Sequence, residues 1–300
     1  MQERWFAVED LKVHAVEWTP DAVRLDAPPL LLVHGLGAST VGWEPVAQPL
    51  ADALGATVTA IDLPGFGRTR CAEVPTDLDL HGRVVRTVLD DAGPAIVVGN
   101  SMGASVAVAV AAQDAAGFTG LVLVNPALPR PVGSFDAMAR TAKFAALLAP
   151  RIATPVVQAR AMRLGPERLV DVTLSAVFAD PGRIAPEVRD AYVAQATERY
   201  DYPEAAPAYA VSGGSLFRYL VTDMRDHLTR IHVPTLLVHG GQDRLVPVSF
   251  ARALARRRHD WRYVEFADAG HAPQLEVPER FVDVVTRWVD RDLRGPATRA

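Results

Sequence analysis

The sequence predicts an α/β fold: a mostly parallel central sheet flanked by helices, with an all-helical segment inserted between two of its strands. Three observations carry this. Short, uniformly apolar runs such as Leu30-Leu31-Leu32-Val33 alternate with stretches of helical spacing, the pattern of strands covered on both faces and joined by crossover helices. The strand signal vanishes from residue 127 to residue 229 and resumes at Val233-Pro234-Thr235-Leu236-Leu237-Val238. Residues able to do chemistry follow the apolar runs directly, where the carboxyl ends of parallel strands share one edge of the sheet.

Taken in order, residues 5–8 and 11–18 alternate apolar and polar side chains around Glu9-Asp10, an antiparallel hairpin at a sheet edge. The run 30–33 is a buried strand, followed at once by His34-Gly35-Leu36-Gly37. Residues 41–54 carry helical spacing, and 57–61 form the next buried strand, ending in the turn Asp62-Leu63-Pro64-Gly65-Phe66-Gly67. Residues 78–91 form a helix. Residues 95–112 (AIVVGNSMGASVAVAVAA) read as a strand, a tight turn and a helix, and 121–124 is a further apolar strand ended by Asn125-Pro126. In the insertion, residues 135–148, 166–178, 186–200 and 215–229 have helical periodicity, with Pro166 and Pro186 at first helical positions. After the strand at 233–238 come a helix at 248–258, a strand at 261–266, a loop at 267–273, an amphipathic helix at 279–293 and a frayed tail at 298–300. There is no internal repeat. The predicted division is a core of residues 1–126 and 230–300 with a helical cap, or lid, of residues 127–229. A cap that follows a strand's carboxyl end lies over the edge where the chemistry collects. Phe144, Leu147, Met162, Phe178, Tyr209 and Phe217 are its candidates to line a pocket, against the plainer reading that they pack helices together.

Bulk composition narrows the function. The 300-residue chain is 49% hydrophobic with a net charge of −4, a soluble globular composition. Lys+Arg (31) do not exceed Asp+Glu (35), and the one dense basic run, Arg256-Arg257-Arg258, is short and reads as a solvated helix face, so no nucleic-acid partner is expected. The single cysteine, Cys71, precludes an intramolecular disulfide, and nothing around it supports a nucleophile. MQERWFAVED lacks the plan of a signal peptide. The longest apolar run, about 11 residues after Met102, is too short for a bilayer that needs about 20, so no stable membrane insertion is expected. The expected protein is cytoplasmic and acts on a small-molecule substrate.

The chemistry centres on Gly99-Asn100-Ser101-Met102-Gly103. Glycines two residues either side of Ser101 let strand and helix backbones approach closely while the central residue takes a strained conformation. The hydroxyl then stands clear of the sheet at a helix N-terminus, which favours negative charge. By itself the pattern arises by chance in about one chain in ten of this length; its context raises it. A serine of ordinary acidity needs a base to take its proton and a carboxylate to orient that base. His271 and Asp243 lie in strand-end loops of the same sheet and supply both. Asp226 and Asp268 are rivals for the acid, the first on a cap helix, the second placed to cap a loop. His14, His81, His227, His232 and His259 read as surface or packing residues, and His239 as a strand end able to support a loop. An oxyanion needs two preset N–H donors. The Met102 amide at the helix start is the natural first, and Leu36, in the tight loop after residues 30–33, the second.

His34-Gly35-Leu36-Gly37, Asp62-Leu63-Pro64-Gly65-Phe66-Gly67, the Ser101 turn, Gly241-Gln242-Asp243 and Gly270-His271 together resemble the α/β-hydrolase superfamily with a helical cap, over nearly the whole chain. The order Ser, Asp, His is that of the superfamily. Some members take the acid after the strand that follows the elbow helix; here that place holds Asn125. Serine rather than aspartate at the elbow argues against haloalkane dehalogenases and epoxide hydrolases. The resemblance implies a serine hydrolase that cleaves a small or medium carboxylic ester and needs no metal or organic cofactor. Asn100-Ser101-Met102-Gly103 is also similar to the elbow of carbon–carbon bond hydrolases of ring-fission products, departing at Ala104 where many carry glycine. The arginine and tryptophan that those enzymes use for the substrate's acid group are not located; Arg189 and Arg218 are conceivable and read as surface residues. A ligand-binding receptor on a hydrolase scaffold is the remaining expectation.

Overall fold

In a computed structural model, residues 1–129 and 150–294 are described; the predicted helix at 135–148, with Phe144 and Leu147, and the tail at 298–300 lie outside them. Eight strands form one sheet in the order β1-β2-β4-β3-β5-β6-β7-β8. They are β1 (Gln2–Val8), β2 (Leu11–Trp18), β3 (Leu30–Val33), β4 (Val58–Ile61), β5 (Ala95–Asn100), β6 (Phe118–Val124), β7 (Thr235–Gly240) and β8 (Arg262–Phe266). The β1–β2 hairpin pairs antiparallel onto β4, and every other pairing is parallel.

Alternation explains why the central strands are apolar throughout. In β3, Leu31 and Val33 face one core while Leu30 and Leu32 face the other. Val97 and Leu237 join the first core; Ile96, Val98, Leu236 and Val238 join the second. Each such side chain gains about 1.5–3 kcal/mol on full burial. The first face is covered by α2 (Leu78–Ala92), whose first turn is capped by the Asp77 carboxylate, and α3 (Met102–Gln113), an Ala/Val helix buried almost all round. The second is covered by α1 (Glu44–Leu54), ended by Gly55 at φ 66°, and, from the other end of the chain, by α10 (Pro278–Trp288). Thr119-Gly120 hides the start of β6 from sequence reading. Gly120 is needed there because the Trp288 ring lies 2.8 Å from where a Cβ would stand.

Between β6 and β7 the described regular elements are helices. They include α4 (Pro150–Val177), α5 (Pro186–Glu198), α6 (Ala205–Thr222) and α7 (Met224–Arg230). Gly165, at φ 69°, breaks α4, and the helix restarts at Pro166, the first helical position expected from sequence. Pro186 likewise opens α5. α6 begins at Ala205, ahead of the expected residue 215, its Gly213 being buried rather than a break. α7 packs on α3 and buries Met224 and Leu228 in the first core. It returns the chain from the carboxyl edge of β6 to the start of β7.

α6 is bolted to the core. Thr76 Oγ1 donates to Ala208 O (3.1 Å), Leu78 N to Ser215 Oγ (3.0 Å) and Ser212 Oγ to Thr76 O (2.6 Å). With that hydroxyl proton committed, His81 Nε2–H donates to Ser212 Oγ (2.9 Å), leaving Nδ1 buried with no partner among the described residues. Beyond β7 come α8 (Val248–Ala255) and the short α9 (Pro273–Glu276).

Candidate active site

β5 ends in a turn that only this glycine pattern permits. Ser101 sits at φ 54°, ψ −113°, a strained conformation for a residue with a Cβ. A Cβ on Gly99 would stand 2.5 Å from Ala104 N, and one on Gly103 would stand 2.2 Å from Val33 O. Both glycines are therefore required by backbone contact, as the sequence implied. The Ser101 amide donates to Val124 O of the neighbouring strand (3.0 Å), and α3 starts at the next residue.

Asp243 and His271 follow β7 and β8 on the same edge. His271 Nδ1–H donates to Asp243 Oδ2 at 2.7 Å, a tautomer assigned from the network, which leaves Nε2 free to accept. The rest of the carboxylate is saturated. Oδ1 accepts from Leu245 N (2.8 Å) and Val246 N (3.0 Å), and Oδ2 accepts also from Asn125 Nδ2 (2.7 Å). Burial pushes the Asp243 pKa up, but His271, through its hydrogen bond and charge, together with Asn125 and the Val246 amide, holds it below the usual carboxylate value. Among the described residues neither the Ser101 hydroxyl nor His271 Nε2 has a hydrogen-bond partner.

The loop after β3 lies against the elbow: a Cβ on Gly35 would be 3.2 Å from Ser101 Cβ. The amides of Leu36 and Met102 donate to no acceptor among the described residues. His34 pins this loop. Its Nδ1–H donates to Gly35 O (2.7 Å) and its Nε2 accepts from Leu63 N (2.9 Å), while burial lowers its pKa and keeps it neutral. Asp62 is the second support. It accepts from Thr40 N (2.8 Å), Arg68 N (2.9 Å) and His14 Nδ1 (2.7 Å). Burial raises the Asp62 pKa, and these donors, with His34, more than offset it. A Cβ on Gly67 would overlap this carboxylate, 2.0 Å from its Cγ. His14 is thus buried in a second His–Asp pair that its alternating strand did not disclose.

The rival residues are engaged elsewhere. Asp226 pairs with Arg230 on α7, and Asp268 with Arg280 (2.8 Å) and Arg183 (3.2 Å). Arg189 is held by Asp171 at 2.7 Å and Arg218 is exposed. His227 meets the Tyr219 hydroxyl, His232 and His259 are exposed, and His239 Nε2 donates to Val246 O (3.0 Å), supporting the Asp243 loop as expected. Cys71 is buried, and burial pushes its thiol pKa up. Of the described cap candidates, Met162 is exposed, Phe178 is buried among helices and Phe217 is half-buried. Tyr209 alone is seated on the site, its Cε2 2.9 Å from where a Cβ of Gly37 would stand. α5 makes a similar contact: the Tyr192 hydroxyl lies 2.8 Å from the Cβ position of Gly42. Sequence reading passed over Tyr192 and read Asn125 as a strand end, at the place where some members carry the acid, without a role of its own. The first has no motif to mark it, and the second acts through contacts more than a hundred residues away.

Residues 30–284 match the family model described as "Alpha/beta hydrolase family". The chain is 29% identical over 282 residues to a monoacylglycerol lipase of Mycolicibacterium smegmatis, covering 91% of this chain and 90% of that one. It is 30% identical over 262 residues to the dihydrolipoyllysine-residue acetyltransferase component of an acetoin cleaving system from Cupriavidus necator, covering 85% of this chain but only 62% of that relative's length. In fold it is similar to a thermophilic esterase from Thermogutta terrifontis, with a TM-score of 0.73 and 21% identity over 97% of this chain and 99% of that one.

Proposed function

The chain belongs to the alpha/beta hydrolase family and is a hydrolase, and from that premise we propose that it cleaves a small or medium carboxylic ester through an acyl-enzyme on Ser101. The observation that carries this reading is the buried 2.7 Å Asp243–His271 pair after β7 and β8, on the same sheet edge as a serine held at φ 54° after β5, with β6 between. Ser101 Oγ attacks the ester carbonyl while His271 Nε2 takes its proton. Asp243 stabilises the imidazolium through Nδ1–H. The Leu36 and Met102 amides receive the oxyanion, each donor contributing about 3 kcal/mol to the barrier reduction. Collapse breaks the C–O bond, and His271 returns the proton to the departing alcohol. Water, deprotonated by His271, then attacks the acyl carbonyl, releasing the acid and restoring Ser101. The helical insertion, residues 127–229, serves as a cap over a core of residues 1–126 and 230–300 and sets what reaches the site. A relative named as a monoacylglycerol lipase supports an ester substrate.

The carbon–carbon bond reading calls for a cation for the substrate's acid group; of the two arginines considered, Arg189 is engaged by Asp171 and Arg218 is exposed, so the ester is preferred. The test is labelling with a fluorophosphonate and turnover of an ester series with one ring-fission product included. Labelling is expected at Ser101, and Ser101→Ala should lower kcat by about 10⁴-fold or more. Near-normal turnover by that variant sinks the proposal, and bleaching of the ring-fission product without ester hydrolysis turns it to carbon–carbon cleavage. Ligand-dependent partner binding without turnover turns it to a receptor.

A further inference from the structure

The carboxylate of Glu276, only 4% exposed, closes the C-terminal end of α9 five residues after His271. Oε2 accepts from Gly270 N (2.7 Å) and from Ala179 N (3.1 Å), and Oε1 accepts from Asp180 N (2.8 Å). Two of these amides belong to the chain just past α4, and the third adjoins His271. The same two segments are joined again by His271 N donating to Val177 O at 2.6 Å. They touch backbone to backbone: a Cβ on Gly270 would stand 2.4 Å from Val177 O and 2.6 Å from Ala179 N.

A buried carboxylate is costly unless hydrogen-bonded, and here backbone N–H groups take the place of a cation. Among the described residues no Lys, Arg or His forms an ion pair with Glu276. No neutral side chain offers two oxygens that can gather three amides from two distant segments. Because one oxygen serves both Gly270 and Ala179, displacement of the segment after α4 pulls on the residue beside the proposed base.

We propose that Glu276 is a positioning residue, a clasp that fixes His271 and ties its placement to the seating of the helical insertion. The proposal rests on the ester-hydrolase reading for its kinetic consequence. A glutamine at 276 can put its single oxygen at the Oε2 site, keeping Gly270 and Ala179, while its NH₂ faces Asp180 N–H, donor to donor. The two variants therefore separate. Glu276→Ala is expected to lower kcat by roughly 30-fold, since His271 is released. Glu276→Gln should restore most of that kcat and instead raise KM roughly fivefold, since only the insertion is loosened.

Amide hydrogen exchange on the wild type and both variants gives a readout independent of turnover. Exchange at Asp180 should quicken in both variants, and exchange at Gly270 in Glu276→Ala alone. Kinetic constants within about twofold of wild type in both folded variants, with only a lower melting temperature, would mean a purely structural staple and overturn the clasp. Where Glu276→Ala does not fold, unchanged Asp180 exchange and unchanged KM in Glu276→Gln overturn it. A wild type that hydrolyses no ester counts against the hydrolase reading, and the exchange pattern then decides the clasp by itself.

Discussion

Asn125 shows how much a single amide can hold. Its Nδ2 donates to Asp243 Oδ2 and Gly270 O (3.1 Å), and its Oδ1 accepts from Gly240 N (3.2 Å), so it joins both loops of the proposed charge pair. It does so at φ 42°, a left-handed conformation that asparagine tolerates better than most residues. Asn125→Ala leaves the buried Gly270 carbonyl and Gly240 amide unpaired at about 1–3 kcal/mol each. The expected outcome is a melting temperature lower by about 5 °C or more and a kcat lower by about tenfold. Losing the donor also lets the Asp243 pKa rise, so the acid limb of the rate profile should move to higher pH. Thermal melts and a pH–rate series check both. At this scale the sequence was legible where a motif forces geometry, as at Gly99 and Gly103. It was silent where a role depends on which distant backbone groups arrive, as at Asn125, Glu276 and the His14–Asp62 pair.

Helices of the insertion differ in how firmly they are held, and α6 is fastened to Thr76 and, in α2, to Leu78 and His81. Its Tyr209, 36% exposed, is thereby fixed over Gly37, next to the Leu36 amide. On the proposed ester hydrolysis, a ring held there is expected to limit the length of acyl chain that fits. Tyr209→Ala should raise the ratio of kcat/KM for long over short acyl esters by about tenfold, while Tyr209→Phe, which keeps the ring, should leave it nearly unchanged. An acyl-length series on both variants measures this, and equal profiles would remove Tyr209 from the pocket wall. The start of α6 escaped sequence reading because Gly213-Gly214 looks like a break. Residues 150–165 of α4 escaped it because Pro155 and a mixed face blur the helical period. Tertiary packing overrides weak local preference in both.

For the molecule as a whole, buried histidines set the response to acid. Burial holds His81 at about 3, far below the ~6.5 of an exposed imidazole, and pushes His34 and His239 in the same direction. Between those two values the unfolded chain binds a proton that the folded chain refuses. Stability is then fully present above about pH 6.5 and falls as pH drops toward 3, by up to a few kcal/mol from His81. The depressed Asp62 and Asp243 add a loss of the same sign at lower pH. Melting temperatures should fall steadily from pH 7 to pH 4, and His81→Gln should flatten part of the slope; a profile that rises toward acid contradicts this. The mostly parallel sheet and the edge that bears Ser101, Asp243 and His271 were legible because uniform apolar runs admit little but a doubly covered parallel sheet; the order of strands within it was not read. β6 and β7 are parallel neighbours, and α7 by itself carries the chain back across the sheet between them. Topologically, the interval ahead of α7 is therefore interchangeable. A recombined gene that replaced it with other helices would inherit the codons for Ser101, Asp243 and His271 untouched, so long as the incoming segment offered Glu276 two amides, and diversification of diet in such a lineage can proceed without reinventing its chemistry.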